Sequence, residues 1–164
     1  MNNDSNKKKL VLFDIDYTLF NTASFKKSDL SLFELYQEVI VALDNIGKIA
    51  ELGIFSEGKN YLQRKKLNRT GILQHFTEDK IHIVDSKEDF IEGIIKSYKD
   101  FKIFLVDDKI DVLMQAKKYD SSVYTIWVKR GPYAEGIELK DFHPDCVLTQ
   151  LSELENVIKD YGKN

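Results

Sequence analysis

Cysteine, proline and long apolar runs are scarce in this chain of 164 residues, and each scarcity excludes a class of protein. Cys146 is the only cysteine, so the chain forms no internal disulfide, and a lone thiol is typical of a reducing compartment such as the cytoplasm. No segment rich in proline and glycine divides the chain, which favours a single domain. No apolar stretch is long enough to cross a bilayer, so we expect no membrane partner.

An excess of charge of one sign is also lacking. The chain has 24 Lys and Arg residues against 27 Asp and Glu residues, a formal net charge of −3 at pH 7. Because a nucleic-acid backbone requires a basic surface field, we expect no nucleic-acid partner. Residues 1–8 are polar and basic, and we expect them to form a disordered tail, which leaves residues 9–164 for one domain.

What the sequence does contain is an alternation of apolar runs and helical patterns. The predicted strands are Leu10 to Phe13, Ala50 to Phe55, Ile81 to Val84, Lys102 to Val106, Val123 to Val128 and, at an edge, Cys146 to Leu148. Capping boxes predict that one helix begins at Ser31, with Glu34, and that the last begins at Ser152, with Glu155. This alternation predicts a three-layer α/β/α sandwich with a Rossmann-like parallel sheet of about five strands.

Polar side chains follow four of the predicted strands at their carboxyl ends. They are Asp14, Asp16 and Thr18 after the first strand, Ser56 after the second, Lys87 after the third, and Asp107, Asp108 and Asp111 after the fourth. In a parallel sheet these ends meet at one edge, where ligands bind. So many carboxylates require a cation, and all-oxygen ligation favours Mg²⁺, whose shell a substrate phosphate can complete. The pattern therefore indicates nucleophilic attack on phosphorus by one carboxylate and proton transfer by another.

Each of these residues also has a structural interpretation when it is taken alone. Asp14 and Asp16 are ordinary turn formers after a strand, and Ser56 is a default helix cap. We expect at least one of Asp107 and Asp108 to cap the following helix. Only the common position of these residues at strand ends favours chemistry over structure.

A basic run follows the second strand. It consists of Arg64, Lys65, Lys66 and Arg69. Charged residues this dense are typical of a solvated helix face, and we predict that role here rather than contact with a phosphopolymer.

The ordered set of strand-end residues resembles the four motifs of the haloacid-dehalogenase (HAD) superfamily, and the similarity extends from about Lys9 to the final helix. The resemblance implies a Mg²⁺ cofactor and a role for each matching residue. Asp14 is implied as nucleophile and metal ligand, Asp16 as general acid/base with its backbone carbonyl facing the metal, Thr18, Ser56 and Lys87 as the phosphate site, Lys87 also as the catalytic cation, and Asp108, assisted by Asp107, as metal ligand.

Two departures from the family pattern lie beside these motifs. Tyr17 stands where the family often has Gly, and in this it is similar to small magnesium-dependent phosphatases that have almost no cap. Glu57 stands where Asn is frequent. The insertion at about residues 21–47 is short enough to imply a minimal cap. The nearest substrate contacts implied within it are Asn21, Thr22, Ser24, Phe25 and Lys26.

The function that this resemblance implies is a Mg²⁺-dependent phosphomonoester hydrolase that works through an aspartyl-phosphate. Its substrate is then a small phosphorylated metabolite or a phosphoprotein, and an open site suits a bulky substrate or cover from a second subunit in a homo-oligomer. The alternative is a catalytically silent HAD-like module that binds a phospholigand or a protein. A phosphoaccepting receiver domain has a different motif order, and a dehalogenase has no use for a metal-binding acidic cluster.

Overall fold

In the computed structural model, which describes residues 7–137, 139 and 141–163, the strands form one parallel sheet. The strands are β1 (Lys8–Phe13), β2 (Glu51–Glu57), β3 (Ile81–Val84), β4 (Phe101–Asp107), β5 (Tyr124–Val128) and β6 (Cys146–Leu148). Their order across the sheet is β3-β2-β1-β4-β5-β6, and every neighbouring pair is parallel. The predicted α/β class is confirmed, with six strands rather than about five.

Helices cover both faces of this sheet. The α-helices of the described residues are α1 (Thr22–Lys27), α2 (Val39–Ile46), α3 (Asn60–Arg69), α4 (Lys87–Ser97), α5 (Ile110–Tyr119) and α6 (Leu154–Asp160), with 3-10 helices at Leu73–His75, Glu78–Lys80, Pro132–Ala134 and Leu151–Glu153. Apolar residues of α2, α3 and α6 pack with one face of the sheet, and those of α4 and α5 pack with the other. None of these helices is long and apolar enough to span a membrane.

Strand β1 lies in the middle of the sheet and is buried on both faces. Its residues Val11 and Phe13 belong to one core cluster, and Leu10 and Leu12 belong to the other. Each of these four residues is at most 1% exposed. This explains why the first strand reads as a continuous apolar run rather than as an alternating pattern.

The order of the strands creates a crevice beside β1. The chain runs outward from β1 through β2 to β3 and then returns to place β4 on the other side of β1. At such a switch point the connections leave opposite faces of the sheet, and a crevice opens at the carboxyl ends of the strands. The backbone N–H of Asp14 donates to the carbonyl of Val106 at 3.0 Å, which holds the two chain segments together at this point.

The helix predicted to begin at Ser31 is wrong at its amino end. Leu35 forms an isolated antiparallel bridge with Phe20, so this segment is extended and α2 begins only after it. The supposed capping groups have other partners, since Ser31 donates to the Ser28 carbonyl and Glu34 accepts from Asn21. Pairing with the loop after β1 therefore overrides the local capping signal.

Two further boundaries differ from the sequence-based expectations. Ser152 lies within a 3-10 helix, and α6 begins after it without a side-chain cap, so the second capping box does not form. Of the predicted disordered tail, residues 1–6 lie outside the described residues, and Lys8 already belongs to β1. The sequence pattern also missed α1, which Asn21 caps by accepting a hydrogen bond from the N–H of Ser24.

Candidate active site

Four charged side chains form what we call the inner cluster at the carboxyl ends of β1 and β4: Asp14, Lys87, Asp107 and Asp108. The Lys87 ammonium donates to Asp14 Oδ1 at 2.7 Å and to Asp107 Oδ2 at 2.6 Å. One carboxylate oxygen from each of the three aspartates lies within 4.8 Å of the others. All four residues are buried. The strand ends therefore bring these predicted site residues together.

Burial and mutual repulsion dominate the protonation of the inner cluster. Desolvation, together with the neighbouring Asp107 carboxylate and despite Lys87, raises the pKa of Asp14 above its usual value. Desolvation and the Asp14 and Asp107 carboxylates raise the pKa of Asp108 as well. Burial alone disfavours the Lys87 ammonium, but Asp107 and Asp14 outweigh it and raise the pKa of Lys87. The cluster thus holds more negative charge than its one cation stabilises.

The hydrogen bonds of Asp107 and Asp108 separate the roles of these two residues. Asp107 accepts from Lys87 on one oxygen and from the backbone N–H of Lys109 on the other. That second bond closes the turn before α5, whose amino end has no side-chain cap, so the helix cap predicted from Asp107 or Asp108 does not form. By contrast, Asp108 Oδ2 is buried without a hydrogen-bond partner among the described residues. A buried carboxylate oxygen without a donor fits a cation, so Asp108 and Asp14 are the carboxylates that suit direct metal ligation.

A second group, which we call the outer network, surrounds Asp16 and consists of Asp16, Thr22, Gln63 and Lys66. The Lys66 ammonium donates to both Asp16 oxygens, at 2.7 and 3.0 Å. Thr22 Oγ1 donates to Asp16 Oδ1 at 2.7 Å, and Gln63 Nε2 donates to Oδ2 at 2.8 Å. Burial disfavours the charged form of Asp16, but Lys66 and these hydrogen bonds outweigh it and lower the pKa of Asp16.

Sequence reasoning missed two site residues, Lys66 and Gln63, and Lys66 is the charged one. It was predicted to be part of a solvated helix face, yet it is 5% exposed and its ammonium lies 5.2 Å from the ring centroid of Phe20. A signal was available in the helical spacing, because Lys66 and the buried Leu67 follow Gln63 by three and four residues on α3, which places both beside Gln63 on one face. The neighbouring charges hid it, since Lys65 remains exposed.

The remaining predicted residues lie below or beside the inner cluster. Ser56 and Thr18 are fully buried, and neither lines the cavity in front of Asp14. Ser56 Oγ accepts from Gln63 at 3.0 Å, whereas Thr18 Oγ1 is buried without a partner among the described residues. Glu57 points to the start of α4, where it accepts from the backbone N–H of Lys87 at 2.9 Å. Its carboxylate is thereby stabilised by a helix terminus.

An open cavity of about 320 Å³ lies in front of the inner cluster and the outer network. Of the five substrate contacts implied by the short insertion, Thr22, Phe25 and Lys26 line it, whereas Asn21 and Ser24 do not. Asn21 and Ser24 instead bond to each other at the start of α1. The short insertion therefore supplies one wall of the cavity.

Comparison with solved structures identifies the fold as that of the HAD-like hydrolases. No protein-family model and no curated protein matches the chain. A haloacid dehalogenase-like hydrolase from Burkholderia xenovorans aligns with a TM-score of 0.76 at 18% identity, over 92% of this chain and 96% of that one. A HAD-hydrolase from Bacillus subtilis bound to magnesium aligns with a TM-score of 0.75 at 11% identity, over 93% and 99%.

The same fold also carries a different chemistry. The L-2-haloacid dehalogenase from Xanthobacter autotrophicus aligns with a TM-score of 0.71 at 13% identity, over 94% of this chain and 100% of that one. The predicted HAD-like fold is thus confirmed. The choice among the reactions that this fold supports rests on the site itself.

Proposed function

We propose that the protein is a Mg²⁺-dependent phosphomonoester hydrolase that works through an aspartyl-phosphate on Asp14. The observation that carries this proposal is the inner cluster, in which Lys87 pairs with two of three buried aspartates and the third, Asp108, keeps an oxygen without a donor among the described residues. A halide-releasing reaction needs no such excess of carboxylates. Binding of a cation that in turn binds a phosphate does need these carboxylates.

Asp14 and Asp108 would hold the Mg²⁺ ion, with the backbone carbonyl of Asp16 as a further ligand. Asp107 would support the site without binding the ion directly, because both of its oxygens already accept hydrogen bonds. When bound, Mg²⁺ neutralises carboxylate and phosphate charge and leaves phosphorus more electrophilic. Lys87 adds a fixed positive charge at Asp14 Oδ1 and holds that carboxylate in one orientation.

The chain's own residues then account for both halves of the reaction. In the first, the Asp14 carboxylate forms a bond to phosphorus while the bond from phosphorus to the leaving oxygen breaks, and Asp16 gives its proton to that oxygen. In the second, Asp16 takes a proton from water, which attacks phosphorus and releases Asp14 and inorganic phosphate. Asp16 must therefore be protonated in the first half and ionised in the second. Lys66 lowers the pKa of Asp16, which favours the carboxylate of the second half and acts against the protonated form of the first.

The test is hydrolysis of a panel of phosphomonoesters with and without Mg²⁺, by the wild type and by Asp14→Asn. We expect turnover that requires Mg²⁺ and is lost in Asp14→Asn by roughly 10³-fold or more, since the nucleophile is removed. The matched control is Asp100→Asn. Asp100 is an exposed acid just before the opposite end of β4, so its removal leaves the inner cluster intact.

Metal binding has its own readout. Trp127 is the only tryptophan, and its indole N–H donates to the Asp108 carbonyl at 2.9 Å, so its fluorescence should change when Mg²⁺ binds. We expect this change in the wild type and in Asp14→Asn to a smaller extent, and its loss in Asp108→Asn. Metal binding without turnover across the whole panel would contradict the proposed reaction and favour a phospholigand-binding module.

The substrates we propose are small phosphorylated metabolites or phosphoproteins, because the cavity is open to solvent on one side. We also propose a cytoplasmic setting, since Cys146 is a free thiol and the only cysteine.

A further inference from the structure

The cavity in front of the inner cluster has an apolar wall that the proposed chemistry does not use. Its members are Tyr17, Phe25, Leu30, Leu62 and Tyr133. Two of them, Tyr17 and Tyr133, come from distant parts of the chain and meet edge to face, with ring centroids 6.5 Å apart and planes at 76°. A polar phosphate has no need of such surface, so the wall is available to the rest of the substrate.

Tyr17 occupies its place at a conformational cost. Its φ of 57° lies in the left-handed region, which is unfavourable for a residue with a side chain and is common at functional sites. Its ring packs against Gly131, where an added Cβ would lie 2.4 Å from Tyr17 Cδ1. Gly131 itself has a φ of 67°. Both backbones therefore adopt conformations that keep the Tyr17 ring in the cavity wall.

Tyr133 completes the wall from the loop after β5. Its side chain is half-exposed although Tyr17 lies beside it, and the Lys109 ammonium is 4.7 Å from its ring centroid. The Lys26 ammonium lies 5.7 Å from the centroid of the Tyr17 ring. Each ammonium thus lies over the face of its ring. Tyr133, which is 49% exposed, supplies most of the free aromatic surface, since Tyr17 is 7% exposed.

The charges around the cavity indicate that the group bound against this wall is neutral. Four carboxylates and four ammonium groups line the cavity: Asp14, Asp16, Glu57 and Asp108, and Lys26, Lys66, Lys87 and Lys109. These charges balance one another, and Mg²⁺ balances a phosphate dianion. The lining therefore offers no surplus positive charge for a second anion on the leaving group. The volume of about 320 Å³ is at the low end of the roughly 300–1,000 Å³ of small-molecule sites, which suits a single ring system.

We propose that Tyr17 and Tyr133 form a subsite for an uncharged aromatic leaving group, so that aryl phosphomonoesters are the preferred substrate class. This inference rests on the proposed function, since it names the substrates of the same site. Aromatic rings prefer edge-to-face and offset contacts of the kind that the two tyrosines already make with each other, and a substrate ring extends that arrangement.

The test measures binding rather than turnover, with two ligands that the protein cannot hydrolyse. Phenylphosphonate and methylphosphonate share the phosphoryl mimic and differ only in the ring, and both are titrated by calorimetry into the Mg²⁺-loaded protein. We expect phenylphosphonate to bind the wild type at least about tenfold more tightly, from burial of the ring. Tyr17→Gly and Tyr133→Ala should each reduce this preference by roughly 2- to 13-fold.

The two variants differ in their expected effect on the fold. Glycine tolerates the φ of Tyr17, so Tyr17→Gly adds no backbone strain, but it removes a ring that is 7% exposed and leaves a cavity, so urea unfolding of this variant accompanies its titrations. Tyr133→Ala changes a half-exposed side chain in a different loop. The control is Tyr61→Ala, since Tyr61 is 75% exposed and does not line the cavity. We expect Tyr61→Ala to keep the wild-type preference.

Equal affinity of the wild type for the two phosphonates, binding of neither, or an equal loss of preference in Tyr61→Ala would overturn the aromatic subsite. Failure of the proposed function is distinguished from failure of the subsite by measuring hydrolysis as well as binding. Hydrolysis of phosphomonoesters without a preference for the ring overturns only the subsite, whereas tight binding of phenylphosphonate without any turnover overturns only the reaction.

Discussion

The inner cluster and the outer network are two lysine–aspartate sites built around Asp14 and Asp16, which are separated by one residue, and they differ in the balance of their charges. Lys87 faces two carboxylates in a site where every side chain is buried. Lys66 faces one carboxylate, Asp16, whose side chain is 29% exposed and receives two further hydrogen bonds. The first site has too few donors for its oxygens, and the second has enough.

This difference indicates what each region is built for. A site that keeps buried carboxylate charge in excess is unstable by itself and gains from a cation, so the inner cluster is suited to bind one. A site with all its oxygens bonded is stable by itself and holds its carboxylate in one place. The outer network is therefore suited to position Asp16 rather than to bind a metal.

Removal of the inner lysine should have the largest effect. We expect Lys87→Met to lower the free energy of unfolding by about 3–5 kcal/mol without Mg²⁺, because it leaves Asp14 and Asp107 buried without their cation. Hydrolysis should fall by roughly 10²–10³-fold. Urea unfolding and initial rates measure the two effects.

The matched control is Lys96→Met on the same helix. Lys96 pairs with Glu92 at the surface, with its side chain 73% exposed, so we expect no measurable loss of stability. If Lys87→Met were as stable as Lys96→Met in the absence of metal, the excess of buried negative charge in the inner cluster would be refuted.

Removal of the outer lysine should have an intermediate effect. In Lys66→Met the Asp16 carboxylate keeps Thr22 and Gln63 as donors, so we expect a loss of about 1–3 kcal/mol in the free energy of unfolding. We also expect kcat to fall by roughly 10- to 100-fold with a smaller change in KM, because a less constrained Asp16 is misaligned for proton transfer.

Lys65→Met is the control for this change, because Lys65 is the exposed neighbour of Lys66 on α3. Equal kinetics in Lys65→Met and Lys66→Met would show that the outer network does not position Asp16. It would also remove the difference in role that separates the two regions.

Removal of an ion pair remote from both sites should have the smallest effect on stability, and it serves as a reference for the changes at Lys87 and Lys66. Asp145 accepts from the Lys117 ammonium and from the Thr125 backbone N–H, at 2.8 and 2.7 Å. Burial acts against the Asp145 carboxylate, but these donors outweigh it and lower its pKa. A carboxyl whose pKa is lower in the folded state stabilises the fold above about pH 3.9, and loses this contribution as the pH falls through its folded-state pKa.

We therefore expect Asp145→Asn to be less stable than the wild type near neutral pH by less than about 1 kcal/mol, since the pair is partly exposed. The difference should shrink when urea unfolding is repeated at about pH 3. A difference that is constant with pH would mean that the side-chain amide, rather than the lost charge, causes the effect.

The sequence predicted structure correctly where each signal depends only on neighbouring residues in the chain. The apolar runs predicted all six strands, because burial on both faces leaves only apolar residues at positions 10–13 of the central strand β1. The inner cluster was predicted as well, because Asp14, Lys87, Asp107 and Asp108 each follow a strand and parallel strands bring their carboxyl ends together.

The failures share one cause, which is competition from distant parts of the chain. Ser31 and Glu34 form a capping box in sequence, but the pairing of Leu35 with Phe20 keeps their segment extended. Lys66 looks like its basic neighbours, but Asp16, fifty positions away, turns it into a buried partner. Local propensity is worth a few tenths of a kcal/mol per residue, whereas such tertiary contacts are worth more.

The sequence by itself determined the class of the fold and the residues of the inner cluster, because strand burial and strand-end position are both written in the order of the residues. Only the tertiary structure decided which of Asp107 and Asp108 keeps an open oxygen, that Glu57 turns to the start of α4, and that Gly131 leaves room for the Tyr17 ring. Those outcomes depend on atoms that meet only after the chain has folded, since hydrogen bonds and close packing act within a few ångströms whatever the separation along the chain.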